Sequence, residues 1–292
     1  MTKFPEFINI PLAEGVDKIM DWLLLHLDGF FDVIGFIILK VVLAFEDLFL
    51  FVPWFVIVLL VGLAGWKLIK SAKIGIVFMV LMMIIGLFGY RELAIQTLAL
   101  VLASVVFALL IGLPMGIVMA RNDRTEKILT PILDGMQTMP SFVYLIPALM
   151  FFGMGKVPSL FATIIYAVPP VIRLTNVGIR TVDIEAVEAA KAFGATSRQI
   201  LFDVQLPLAK PSIVVGINQT TMMALSMVVI GSMIGAKGLG MEVLLAIGRI
   251  EVGRGFEAGI SIVFLAIIID RITFSFSEKK QKNESKQEEK KD

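Results

Sequence analysis

Very few side chains in this sequence could do bond-making chemistry. Cysteine is absent and His26 is the single histidine, which excludes disulfides, thiolate metal sites, His-rich metal clusters and histidine relays. There is no HExxH, no GxSxG elbow and no pair of carboxylates inside an apolar run, so a membrane-embedded enzyme finds no support. What remains is a set of hydrogen-bonding groups among apolar residues: Gln137, Thr138, Ser141 and Tyr144 in one run, and Asn218, Gln219, Thr220, Thr221, Ser226 and Ser232 in another. Such groups are costly against lipid and belong against protein or a water-filled path. Gln137, Ser141, Tyr144, Asn218, Thr221 and Ser226 are therefore the candidate lining of a translocation path. Asp134 and Asp270 fall near the ends of their runs, where capping or a pair with Arg271 is expected rather than ion coupling. His26 is expected to be an interfacial residue, not a ligand.

A second constellation is mechanical. Glu188, Ala189 and Ala190 are followed after three residues by Gly194, and nine residues beyond that by Val204, then Leu206 and Pro207. Asp183 can cap a short helix whose apolar side includes Ile184, Val187, Ala190 and Phe193, and Gly194 can end it in the left-handed conformation. Thr196 and Gln199 have capping-box spacing for a second helix with Ile200, Leu201, Val204 and Leu206 on its apolar side, closed by Pro207. Ala189, Ala190, Ala192 and Ala195 let another surface approach closely. The expected product is a rigid two-helix lever seated in a partner's socket.

The elements that carry these groups follow from composition. The chain has 292 residues, 58% hydrophobic and 17% charged, with mean hydropathy +0.89. Apolar runs of about 20 residues, enough to cross ~30 Å of hydrocarbon, recur along it. Seven spans are expected at 48–68, 74–89, 94–119, 137–153, 158–177, 212–235 and 257–276. Lys67, Lys70 and Lys73 lie in one short connection and Arg121, Arg124 and Lys127 in another, so both are expected inside, together with the Gly194 loop and the Lys-rich tail 277–292. An odd number of spans leaves the N-terminus outside. Residues 14–46 mix Asp17, Lys18, Asp21, Asp28, Asp32 and Lys40 with apolar residues. Burying each charge would cost roughly 2.5 to 3.5 kcal/mol, which favours an interfacial amphipathic helix within segment 1–47 over an eighth span that would flip the N-terminus. The acidic residues Glu6, Glu14, Asp17 and Asp21 do not fit a signal peptide, so the mature chain is expected to start near Met1. The tail reads as a solvated, disordered end. A net charge of +1 suggests no nucleic-acid partner. Gly112 and Gly116, and Gly231 and Gly235, have small-xxx-small spacing for helix packing. An ion-coupled secondary transporter would call for paired intramembrane charges or inverted repeats, and the sequence has neither.

The stretch EAAKAFGATSRQILFDVQLP (188–207) resembles the EAA loop of binding-protein-dependent ABC import permeases, with Val204 where the family more often has isoleucine. The resemblance extends from about Glu92 to Thr273. The strings PILDGMQTMPSFVYLIPALMFFGMG (131–155), YAVPPVIRLTNVGIR (166–180), MVVIGSMIGAKGLG (227–240) and LAIIIDRIT (265–273) are similar to the quaternary-amine branch that imports glycine betaine or proline betaine. It implies an all-α polytopic fold with a MetI-like type I importer core over 92–276, two accessory spans over 48–91, and a coupling loop at 183–207 in which Glu188, Ala189, Ala190, Gly194, Leu206 and Pro207 engage an ATPase. It further implies a bacterial inner-membrane location, two ATPase subunits that use ATP and Mg²⁺, no cofactor in this chain, a second permease copy, and a binding protein on a separate chain. With only three Trp and three Tyr, most of them near expected membrane interfaces, the sequence shows no aromatic cage for a quaternary ammonium. Choline, carnitine or an amino acid stays open as the substrate.

Overall fold

Proline breaks two of the seven expected spans. The computed structural model describes residues 11–288, with side chains to Ser275, and all its regular structure is helical. The expected start near Met1 lies outside the described residues. The first helix, α1 (Leu12–Phe51), ends where Val52 turns extended ahead of Pro53, because a residue before proline is pushed out of the helical region. α2 (Trp54–Ile69) then leaves at 100° to α1, so the span expected at 48–68 is a bent pair. α3 (Ala72–Leu87) is a shorter apolar helix packed against α2. α4 (Arg91–Arg121) is unbroken. The expected span 137–153 is broken at Met139-Pro140, where α5 (Asp123–Thr138) and α6 (Leu145–Phe152) meet at 107°.

Beyond this break come α7 (Lys156–Arg180), α8 (Ile184–Ala192), the single turn α9 (Ser197–Gln199), α10 (Leu206–Gly231), α11 (Leu239–Arg249) and α12 (Val252–Glu288). The seven expected segments thus become four unbroken membrane-length helices, two bent pairs and the 16-residue α3. The tail expected to be disordered continues α12 as helix to Glu288. Its composition permits this, because the stretch lacks the helix breakers Gly and Pro.

α7 is the axis of the body, flanked by α4 and α10. Small residues let the backbones approach on both sides. On α4, Gly112 faces Val171 and Gly116 faces Thr175, where an added Cβ would meet side-chain atoms at 2.4 and 2.6 Å. On α10, Gly231 meets Ser159, with only 1.9 Å between a built Cβ and the serine hydroxyl. The expected Gly112–Gly116 pair therefore packs as one seam, whereas Gly231 and Gly235 do not. Gly235, at φ +90°, ends the helical turn instead. The interfacial helix expected over 14–46 is a single 40-residue helix of two characters. Its first half is exposed, while Ile38, Val42 and Glu46 are buried against the body.

Candidate functional site

The Gly194 loop is built by local hydrogen bonds that its sequence dictates. The Asp183 carboxylate accepts from the Glu185 N–H at 2.9 Å and starts α8. At the other end the Gly194 N–H donates to Lys191 O at 2.9 Å and the Ala195 N–H to Ala190 O at 3.0 Å, a Schellman closure with Gly194 at φ +81°. Thr196 and Gln199 then form the reciprocal capping box: the Gln199 N–H donates to Thr196 Oγ1 at 3.4 Å, and the Thr196 N–H to Gln199 Oε1 at 2.9 Å.

The lever differs from expectation in its second arm. Pro207 does not close a short helix; residues Ser197–Ile234 form one continuous helix. Over Ile200–Gln205 the turn widens to π geometry, with the Leu206 N–H bonded to Leu201 O, and this wider turn accommodates the proline whose ring and missing N–H would otherwise break the helix. Leu206 and Pro207 are half-buried in the base of this helix, and Ile200 and Leu201 are buried, Leu201 in an apolar cluster with Ile179 and Ala209. By contrast no residue of α8 is buried: Glu188, Ala189 and Gly194 are exposed and Ala190 half-buried. Phe193 is 93% exposed and Ile184 69% exposed, an apolar tip with no cover among the described residues.

The root of the loop is clamped by charges to which spacing and hydropathy alone assign no role. Arg180, the last residue of α7, contacts Asp123 at 2.7 Å and Glu126 at 3.2 Å and donates to Met119 O at 3.0 Å. It also donates to Asn176 Oδ1 at 3.0 Å, while Asn176 Nδ2 donates to Glu126 Oε1 at 2.9 Å. The i,i+4 spacing of Asn176 and Arg180, facing acids in the first turn of α5, was the available signal. This network joins the ends of α4, α5 and α7 directly beside Asp183.

The candidate path residues are only partly gathered. Gln137 is exposed and Ser141 half-buried beside the α5–α6 break. Tyr144 is buried, donates to Met136 O at 2.7 Å, and lies 6.3 Å from the Tyr166 ring. Thr221 and Ser226 spend their hydroxyls on carbonyls of their own helix. Asn218 donates to Asp270 at 3.0 Å, and Asp134 pairs with Arg173. Arg271 is thus not the partner of either acid. Asp270 reaches α10 rather than its own helix neighbour, because residues one apart on a helix do not face each other. Among the described residues no cluster of three or more His, Asp or Glu could hold a metal ion.

Residues 112–281 match the family model described as binding-protein-dependent transport system inner membrane component. The chain is 52% identical over 279 residues to the glycine betaine/carnitine transport permease protein GbuB of Listeria monocytogenes serotype 1/2a (strain 10403S), covering 94% of this chain and 98% of that one. It is 46% identical to the glycine betaine/proline betaine transport system permease protein ProW of Escherichia coli (strain K12), over 90% of this chain and 74% of the relative. It is 44% identical to the glycine betaine transport system permease protein OpuAB of Bacillus subtilis (strain 168), over 94% and 96%. Among solved structures, an inward-facing native crystal form of the MetNI methionine ABC transporter overlays with TM-score 0.60 at 22% identity, across 65% of this chain and 94% of that chain, and so shares its fold. A protruding capped turn on an all-helical body, within a chain that matches this family over more than half its length, leaves a plain assignment: the chain belongs to the binding-protein-dependent transport system inner membrane components, permeases without a catalytic centre of their own.

Proposed function

We propose that this chain is the membrane-spanning subunit of a bacterial ATP-driven importer for glycine betaine and related quaternary ammonium zwitterions. The observation that carries the substrate class is 52% identity, nearly end to end, to a relative named for glycine betaine and carnitine. Two permease copies and two ATPase subunits form the working unit, with a separate external binding protein. ATP and Mg²⁺ act in the ATPase subunits.

The exposed tip at Ile184 and Phe193 supports the coupling role of Glu188, Ala189, Ala190 and Gly194. Closure of the ATPase pair draws the two tips together. Because Ser197–Ile234 is one helix and Arg180 clamps α7 to α4 and α5, the motion passes to the membrane helices without a soft joint. Gln137, Ser141, Tyr144, Asn218, Thr221 and Ser226 offer a weak polar lining, and solute selection rests with the binding protein.

In this arrangement the coupling loop and C-terminal tail are cytoplasmic and the N-terminus external. Segment 1–47 provides the interfacial helix, 48–91 the accessory spans and 92–276 the core. The 100° turn from α1 into α2 supports an in-plane α1 beside a spanning α2. So does the sidedness of its first half: at 100° per residue Glu14, Asp17, Asp21, Asp28 and Asp32 share one face, while the exposed Leu12, Val16, Ile19 and Phe30 share the opposite one, Leu25 being the exposed apolar residue on the acidic side.

Proteoliposomes carrying the permease with its co-expressed ATP-hydrolysing subunit and binding protein test the reading. Labelled glycine betaine accumulates only with ATP, and unlabelled carnitine, choline, proline betaine and an amino acid rank as competitors. Uptake by the permease alone without ATP would point to a secondary transporter; ATP-driven uptake of only a non-betaine solute would remove the substrate class.

A further inference from the structure

The half of α1 that packs on the body carries a buried ion pair far from the coupling loop. Glu46 Oε2 meets Lys156 Nζ at 2.5 Å, joining residues 110 apart in sequence, with side-chain exposures of 6% for Glu46 and 18% for Lys156. Lys156 begins α7, directly after the corner Gly153-Met154-Gly155 that links it to α6. Phe31 of α1 stacks on Phe151 at 4.1 Å and meets Phe152 edge-on at 5.9 Å, on the other side of that corner. α1 thus grips the α6–α7 corner from both flanks. It also lies outside residues 112–281, which match the family model.

The same corner is tied to the helix that begins at the coupling turn. The Gly155 N–H donates to Ile234 O at 2.9 Å, and Ile234 is the last residue of the continuous helix Ser197–Ile234. A path of covalent and hydrogen bonds therefore runs from the capping box, along this helix, across Gly155 to Lys156 and onto Glu46. The corner can pivot, since Gly153 and Gly155 sit at φ +69° and +130° with no atom within 4 Å of a built Cβ. The contact on α1 is half-satisfied: Glu46 Oε1 is buried without a partner. A carboxylate that has one bonded oxygen and one unpaired, meeting a lysine that offers a single point charge, is held less tightly than a bidentate clamp.

We propose that α1 is a strap across the outer end of the bundle, and that Glu46 and Lys156 are positioning residues for the opening of that end. Their pairing holds the α6–α7 corner and sets how readily that end opens. The inference rests on the importer reading above.

The test uses the full complex in proteoliposomes with glycine betaine as the solute. Glu46→Gln and Lys156→Met each loosen the strap. Expected are a threefold or greater rise in ATP turnover without binding protein, and a fall in solute moved per ATP. The charge swap Glu46→Lys with Lys156→Glu returns both readouts toward the parent values. In addition, because the chain has no cysteine, Phe31→Cys with Phe151→Cys can be bridged by a short bis-thiosulfonate reagent. The bridge stops uptake and a reductant restores it. Unchanged turnover and unchanged solute per ATP in assembled single variants would overturn the proposal, as would full-rate uptake by the bridged complex. Where a single variant fails to assemble, the bridge decides. A parent complex without ATP-driven uptake would contradict the importer reading instead.

Discussion

Substituting Gly194 separates the shape of the coupling turn from any contact it makes. No atom lies within 4 Å of the position its Cβ would take, so a side chain there meets no steric wall, and the whole cost is conformational. At φ +81° that cost is about 1–2 kcal/mol for an L-residue with a Cβ, least for Asn and greatest for a β-branched residue. Since about 1.4 kcal/mol is a factor of ten in an equilibrium, the ratio of bent to unwound turn falls by roughly 5- to 30-fold. The Schellman bonds to Lys191 O and Ala190 O oppose this, but they depend on the same backbone conformation. Uptake of labelled glycine betaine, at matched permease levels in the membrane, is expected to rank Gly above Asn above Ala above Val. The fold should be unaffected, because no residue of α8 is buried. Full uptake by Gly194→Val would show that the left-handed turn is dispensable, and so would a loss of uptake that merely tracks loss of the protein from the membrane.

Three further outcomes follow from the packing. Thr97→Val keeps side-chain volume but removes the acceptor of the buried Leu239 N–H, now bonded at 2.9 Å; the orphaned donor costs about 1–3 kcal/mol, read as a lower thermal-unfolding midpoint in detergent. Gly231→Ala drives a Cβ to 1.9 Å from Ser159 Oγ and 2.8 Å from its Cβ, an overpacking of about 1–3 kcal/mol that lowers the same midpoint, and adding Ser159→Gly recovers most of the loss. Arg180→Gln unties α7 from Asp123 and Glu126 and is expected to lower ATP-driven uptake several-fold at an unchanged membrane level, whereas Arg124→Gln, at an exposed residue with no side-chain partner among the described residues, leaves uptake intact.

The parts legible in the sequence were those governed by neighbours in the chain. Asp183, Gly194, Thr196 and Gln199 act through bonds spanning two to five residues, and their caps stand where spacing alone put them. The apolar runs located the helices, but hydropathy is blind to backbone direction, so Pro53 and Pro140 hid two bends of about a right angle within apparently continuous spans. Pro207 misled in the opposite sense. A proline reads as a stop, yet one widened turn over Ile200–Gln205 carried the helix through it and turned a supposed short arm into the base of α10. Long-range polar partners stayed hidden for a simpler reason: Glu46 and Lys156, Thr97 and Leu239, and Asn218 and Asp270 are 52 to 142 positions apart, and no periodicity links them. That is also why the choice of path-lining residues, made on polarity alone, mixed hydroxyls already spent on their own helix with side chains such as Gln137 that remain exposed.

The central claim is that the turn beside Gly194 projects into the cytoplasm and seats in an ATP-hydrolysing partner. The cysteine-free chain permits a direct measurement, a single cysteine at the 93%-exposed Phe193 probed with a membrane-impermeant thiol reagent. Labelling is expected in inside-out vesicles but not in intact cells, with strong protection when the ATPase subunit is bound. Labelling from the external face, or equal labelling with and without that subunit, would contradict the claim.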